Sequence, residues 1–389
     1  MKPDRPYIKL LTALCRTSPS AEQVREIAQI IPTVENWHTF TRLANEHGIS
    51  AMVWHNLERM QLTGSLPEKE QTILKQSFLT SLTRNTYLTD RLAEAVKILA
   101  RKGIDVVLLK GMALELSLYG NAGLRQMNDV DLLISPNRCM EAWRELQKHG
   151  YVAKPFKSPL YRLIALHEGK HLPELRRGDL TIEIHHTLFP EHPEITEEII
   201  TGSTPAEING QIMLLPPPHL HFLYLLKHMQ YHELEKGETQ LRLYADLLIM
   251  AEKYRDKILN GTMAELARKT TGTGYLEERL YLLQHFWGTD PGESLRILVH
   301  SIDKKGVEQQ FRHFLEKPKG NAEPSRRETL PGALRRIPGV HRKTIHLIGE
   351  IFPSLTFMKN RYNTRNRLTA IAMYPVRWYT IAAMALGRR

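Results

Sequence analysis

A chain of 389 residues is long enough for two or three domains and a full apolar core. With 42% hydrophobic and 24% charged residues it has the composition of a soluble globular protein, and no run approaches the roughly 20 apolar residues of a spanning helix. Two distant cysteines, Cys15 and Cys139, exclude a disulfide framework, and the net charge of +11 sits at one end: residues 301–389 hold 18 Lys+Arg against 6 Asp+Glu, so the first 300 residues sum to −1.

In chain order, residues 1–100 read as helices. The N-terminal "MKPDRPYIKLLTALCRTSP" has too short and broken an apolar run for a signal peptide, which points to the cytoplasm. "SAEQVREIAQII" opens on Ser20 as a cap. "WHTFTRLANEHGI" and "QTILKQSFLTSLTRNTYLTDRLAEAVKILARKG" carry apolar residues at three-and-four spacing, and the second stops at Gly103. The texture then changes. "IDVVLLK" is a short apolar run read as a buried strand, "MALELSLYG" suits a short helix and "NAGLRQM" a loop. "NDVDLLI" is a second strand stopped by "SPN", "CMEAWRELQKHG" is a helix, and "GDLTIEIHHTLF" is a further strand. After the prolines at 216–218 the helical period returns in "HLHFLYLLKHMQYHELEKG", "LRLYADLLIMAEKYRDKIL" and "YLEERLYLLQHFWG". Residues 316–340, rich in Pro, Gly and charge, read as a linker. The pattern predicts a helical region at 1–100, an α/β core at 101–215, a helical domain at 216–315, and a linker with a basic tail at 316–389.

The chemistry concentrates in the core. Side chains alternate along a strand, so Asp129 and Asp131 share a face while Val130, Leu132 and Ile134 take the other. Two carboxylates this close repel each other and cost desolvation unless a cation lies between them; Mg2+ (or Mn2+) is the natural candidate, since it takes carboxylates together with substrate phosphates. In "LTIEIHH" the same alternation puts Glu183 and His185 on one face. Three strand-borne acids suffice for a two-metal clamp of the kind used in nucleotidyl displacement. Lys110-Gly111, where the first strand meets a helix, offers backbone amides, a point charge and room for an anion, and Arg125 in the following loop is placed to reach a phosphate.

Strand, Gly, helix, Asp-x-Asp and a later acid together resemble the polymerase β-like nucleotidyltransferase superfamily. More closely, "LLKG", "LYGNAGLRQMNDVDLLI" and "IEIHHTL" resemble a bacterial nucleotidyltransferase branch found near ribosomal-peptide (lasso-type) or polysaccharide gene clusters, over roughly residues 30–260. The resemblance implies an α/β (α+β) nucleotidyltransferase core with a small mixed sheet, flanked by helical regions. It implies that Asp129 and Asp131 bind both metals, and that Glu183 binds the catalytic metal and helps activate the acceptor. Lys110, Gly111 and Arg125 would hold the triphosphate of ATP or another NTP. Met112 departs from the superfamily's usual Ser or Gly after the first-loop glycine, which shifts the weight to Lys110 and backbone amides. The expected reaction moves a nucleoside monophosphate to a modified peptide, a protein hydroxyl or a small molecule. The rival readings are a nucleic-acid-directed enzyme (tRNA-modifying or toxin-like) and a catalytically silent scaffold.

Other signals are weaker. His228 and His232 stand one turn apart on a helix, as do Arg242 and Asp246 on the next; they suit either the far wall of a nucleotide cleft or a buried network tying two helices. His167-Glu168-x-x-His171 has the spacing of a zinc-protease motif, but Gly169 and Pro173 deny it the helix it needs. The tail, with Tyr374, Trp378 and Tyr379 among basic residues, suits an acidic partner or an anionic membrane surface, or packs its apolar side onto the domain.

Overall fold

The computed structural model describes residues 5–236, 239–317, 332, 334, 335 and 337–385. Five helices open the chain: α1 (Pro6–Leu14), α2 (Ala21–Ile30), α3 (Trp37–Glu46), α4 (Ser50–Arg59) and α5 (Glu68–Ala100). Ser20 starts α2 with a complete capping box, its hydroxyl accepting from the Gln23 amide while the Gln23 side chain accepts from the Ser20 amide. The turn from α3 to α4 passes through Gly48 at φ 69°, a left-handed conformation that glycine adopts without a Cβ penalty.

The middle of the chain carries the sheet. In order come β1 (Val107–Leu108), α6 (Lys110–Leu114), a π-helical turn (Glu115–Tyr119), β2 (Val130–Leu133), α7 (Pro136–Lys148), β3 (Val152–Ala153), a 3-10 turn (Pro159–Leu163), α8 (Ala165–Glu168), β4 (Leu175–Arg177), β5 (Leu180–His185), α9 (Pro193–Thr201), β6 (Thr204–Ile208) and β7 (Gln211–Leu215). The strands form one mixed seven-stranded sheet, order β3-β4-β5-β2-β1-β7-β6. With the flanking helices this is the α+β architecture that the sequence predicts. Helices α10 (Pro218–Tyr231) and α11 (Leu241–Lys253) follow. No helix among the described residues is long and apolar enough to cross a membrane.

The chain divides into two compact units. The first comprises Met1–Glu94, Val107–Val130 and Thr201–Ser325; the second comprises Ala95–Val106, Asp131–Ile200 and Arg326–Arg389. In the first, β1 runs parallel to β7 with Val107 opposite Leu214, and β6 and β7 form an antiparallel hairpin. Its turn is Asn209-Gly210, both at positive φ (47° and 72°), the dipeptide that the tightest hairpin turns favour. Tyr244 of α11 stacks on Trp287, meets Phe311 edge to face and lies tilted against Phe314, which anchors the later helices of this unit.

In the second unit, β5 pairs antiparallel with β4, and β4 with β3. Helix α7 covers these strands with buried Ala142, Trp143 and Leu146, and the Trp143 indole donates to the Pro173 carbonyl at 2.8 Å. The C-terminal helices, including Val340–Ile351 and Tyr374–Ala385, pack into this unit. Gly349 lies flat on the Tyr161 ring, where a Cβ would come within 2.2 Å of Cε1. Glu350 collects Lys157, the Tyr161 hydroxyl (2.7 Å) and Arg377 (2.5 Å). Of the segment expected to be a linker, residues 318–331, 333 and 336 lie outside the described residues.

Candidate active site

In the second unit, β2 and β5 bring three ligand-bearing side chains together. Leu180, Ile182 and Ile184 are fully buried on one side of β5, which leaves Glu183 and His185 on the other. The main chain carries this register onward: the Ile134 amide donates to the His185 carbonyl at 3.0 Å. His185 Nε2 lies 2.9 Å from Asp131 Oδ1 and 3.6 Å from Glu183 Oε2. One ligand atom from each of Asp131, Glu183 and His185 falls within 4.8 Å of the others. Asp131 and His185 are each 3% exposed, so water does little to screen this charge. Two carboxylates and an imidazole converging on one point are a donor set that fits a divalent cation. His171 borders the group through a bridge to His185, the two ring centroids 5.3 Å apart. On the opposite side of the strand, burial pushes the His186 imidazole down to about 4, with His185 and His171 adding to the shift. Helix α8 ends at Glu168, so His167 and His171 do not share a helix.

In the first unit, the Lys110–Asp129 segment is held by a dense polar network. Lys110, the first residue of α6, takes φ 44°, a left-handed conformation unfavourable for a side chain with a Cβ. Gly111 is needed for space: a Cβ there would meet Arg125 Nη1 at 2.4 Å and Met127 Sδ at 2.7 Å. Arg125 forms a bidentate pair with Asp246 of α11, Nε to Oδ1 and Nη2 to Oδ2 both at 2.8 Å. The Tyr119 hydroxyl donates to the same carboxylate at 2.7 Å. Asp246 is 1% exposed and accepts from both Arg125 and Tyr119. Arg242, one turn earlier, donates to the Gln126 carbonyl and to Gln240 Oε1. Burial, aided by Arg125, lowers Arg242 to about 10, while Asp246 and Asp129 oppose that shift. Burial raises the Glu115 carboxyl to about 6 against the pull of Arg125. His228 and His232 pack edge to face, centroids 4.5 Å apart, where α10 passes into a π-helical turn.

Sequence reasoning missed the two residues that anchor the loop before Asp129. Arg84 donates from Nε to the Met127 carbonyl (2.9 Å) and from Nη2 to that of Asn128 (2.7 Å). Asn85 Nδ2 donates to the Ala122 and Arg125 carbonyls at 2.6 and 2.7 Å. The one available signal was Asn85 itself, a poor helix former inside the long α5 and wholly buried.

A family model of uncharacterised nucleotidyltransferases matches residues 33–288, more than half of the chain. The chain belongs to that family. Its activity in general terms is thus nucleotidyl transfer, and the match spans Lys110, Arg125, Asp131, Glu183, His185 and Asp246. No curated protein matches the chain. Among solved structures, the solution structure of the antibiotic-resistance factor ANT(2'')-Ia is similar with a TM-score of 0.36 and 13% identity, covering 52% of this chain and 97% of that one.

Proposed function

We propose that this family member is a metal-dependent nucleotidyltransferase that moves a nucleoside monophosphate, AMP from ATP in the first instance, onto an acceptor with release of pyrophosphate. The observation that carries the reading is the convergence of Asp131, Glu183 and His185 in a chain of a nucleotidyltransferase family. Asp129, Asp131 and Glu183 would hold Mg2+ or Mn2+, with His185 beside them. A divalent ion bound there supplies charge neutralisation at the transferred phosphoryl group.

The chain's own residues do the rest. Lys110 and Arg125 bind the triphosphate, and Gly111 leaves the space that Arg125 occupies. Asp246 and Tyr119 fix the Arg125 fork, so its donors are aimed before substrate arrives. Arg242 and His228 line the nucleotide side. The acceptor oxygen forms a bond to the α-phosphorus, and the bond to the bridging oxygen breaks with its electron pair leaving on pyrophosphate. Glu183 takes the acceptor's proton. Positioning and charge neutralisation supply the rate, with no covalent protein intermediate.

The acceptor is a peptide, a protein hydroxyl or a small molecule. The basic C-terminal segment, with Arg361, Arg365 and Arg367 exposed, suits an acidic partner or an anionic surface. Cys15 and Cys139 are both free and buried, which suits the reducing cytoplasm where NTPs are abundant. Incubation with α-labelled ATP and candidate acceptors tests the reading. Label transfer with pyrophosphate release is expected from the wild type and not from Asp131→Asn; equal transfer by both refutes it.

A further inference from the structure

A second polar site lies in the first unit. A cavity of about 300 Å3 is lined by Gly48 and Ser50 where α4 begins, by Ser77, Ser81 and Arg84 of α5, and by Gln126. Arg84 is the one charged residue of the lining, and no acid faces it. The 10-residue helix α4 directs its first turn at this space. Ile49 sits at its N-cap with no side chain able to accept from the first-turn amides, and no described residue accepts from the amides of Ser50, Ala51 or Met52. Ser50 is 4% exposed, and its hydroxyl has no hydrogen-bond partner among the described residues. A hydroxyl buried this fully without a partner is costly in an isolated protein and is satisfied by a ligand that accepts from it. Arg84 spends two of its five N–H donors on the Met127 and Asn128 carbonyls, so its fork is fixed in place with donors left over.

We infer that this cavity binds an oxyanion, a phosphate or carboxylate group of a small polar ligand. The first-turn amides and positive end of α4, the Ser50 hydroxyl and the Arg84 guanidinium hold its charge, and Ser77, Ser81 and Gln126 meet the polar remainder. Arg84 also grips the two residues before Asp129, so a ligand here sits against the segment that carries that aspartate. On the nucleotidyl-transfer reading, on which only this assignment of role rests, the oxyanion belongs either to the acceptor or to the phosphates of the NTP.

Calorimetric titration of inorganic phosphate into the full-length protein tests the inference. Wild type is expected to bind phosphate, and Arg84→Gln and Ser50→Asp to bind it at least about tenfold more weakly, the loss of one charge-assisted hydrogen bond or the gain of a competing carboxylate. Ser50→Asp places an acid in the first turn of a helix, where it is favourable, so its thermal midpoint should hold or rise and a loss of binding cannot be laid to unfolding. Equal phosphate affinity in wild type and Ser50→Asp, or no binding by wild type, overturns the inference. Repeating the titration with saturating Mg2+–ATP separates the sources: displaced phosphate assigns the cavity to the NTP, and undiminished binding assigns it to the acceptor. Failure of the nucleotidyl-transfer reading would look different, as Mg2+–ATP binding indifferent to Asp131→Asn while phosphate still bound in the Ser50-dependent cavity.

Discussion

Arg125 and Asp246, 121 residues apart in the chain, meet in a bidentate ion pair with both contacts at 2.8 Å and with side chains only 8% and 1% exposed. The Tyr119 hydroxyl completes the shell of Asp246. Such a pair contributes little net stability when intact, because both charges were desolvated to form it; removing one partner is costly because the other is left buried. Asp246→Ala is therefore expected to destabilise the protein by about 3–5 kcal/mol. Arg125→Met combined with Asp246→Leu should cost clearly less than the sum of the single changes. Urea denaturation of the wild type and these variants checks this, and additive costs in the Arg125→Met, Asp246→Leu cycle would show that the pair is not coupled.

Gly111→Ala should damage the same network from the other side. The new Cβ would lie 2.4 Å from Arg125 Nη1, and moving that guanidinium away would strain its bidentate pair with Asp246. Overpacking of this kind costs about 1–3 kcal/mol. A larger fall in nucleotide affinity than in stability is expected, because the displaced group is the proposed phosphate ligand. The thermal midpoint and ATP affinity measured on one preparation separate the two effects.

Acid should weaken the fold through His47 and His221. The Leu241 amide donates to His47 Nδ1, which leaves Nε2 to donate to the Leu315 carbonyl, so the neutral ring is fully satisfied. Burial lowers His47 to about 4, and burial likewise lowers His221 to about 4. The unfolded chain binds these protons near 6.5 and the folded one does not, so stability is full above 6.5 and falls as the pH drops from 6.5 towards 4. Between pH 7 and pH 5 each histidine should cost ~2 kcal/mol. Urea midpoints at the two pH values, compared for wild type and His47→Gln, should show a shallower decline in the variant.

The C-terminal tail is expected to be part of the second unit's core. Arg377 is 6% exposed and pairs with Glu350, the Tyr374 hydroxyl donates to the Pro353 carbonyl, and the Trp378 indole donates to the Ile351 carbonyl. Deleting residues 360–389 strips these contacts, so the truncated protein should lose several degrees of thermal stability or become insoluble. Unchanged melting after the deletion would show that the tail contributes nothing to the fold.

What was legible in the sequence was what is local. Asp129 and Asp131 stand out because they interrupt an apolar run at a two-residue spacing, and Glu183 and His185 repeat that pattern in β5. The helix start at Ser20 and the absence of a long helix around His167 and His171 were equally readable. The β6–β7 hairpin carries a local signal in Asn209-Gly210, but its strands do not alternate cleanly between apolar and polar residues. By contrast, Val107 opposite Leu214, Arg84 on Met127 and Asn128, and Arg125 on Asp246 are long-range pairings. No spacing rule announces them, since a buried Arg or Asn in a sequence looks like an exposed one until its partner is known. Arg125 reads as a phosphate ligand, and Asp246 as either a cleft-wall residue or part of a buried network; the ion pair between them becomes visible only in the fold.

On the proposed function, Asp131 and Glu183 hold the metal through which an NTP binds. Calorimetric titration of Mg2+–ATP into wild type and into the Asp131→Asn, Glu183→Gln double variant tests it most directly. Measurable binding by the wild type and none by the variant is expected, with the variant folded and no less stable, because two mutually repelling carboxylates have been neutralised. Equal Mg2+–ATP affinity in the two proteins would contradict it.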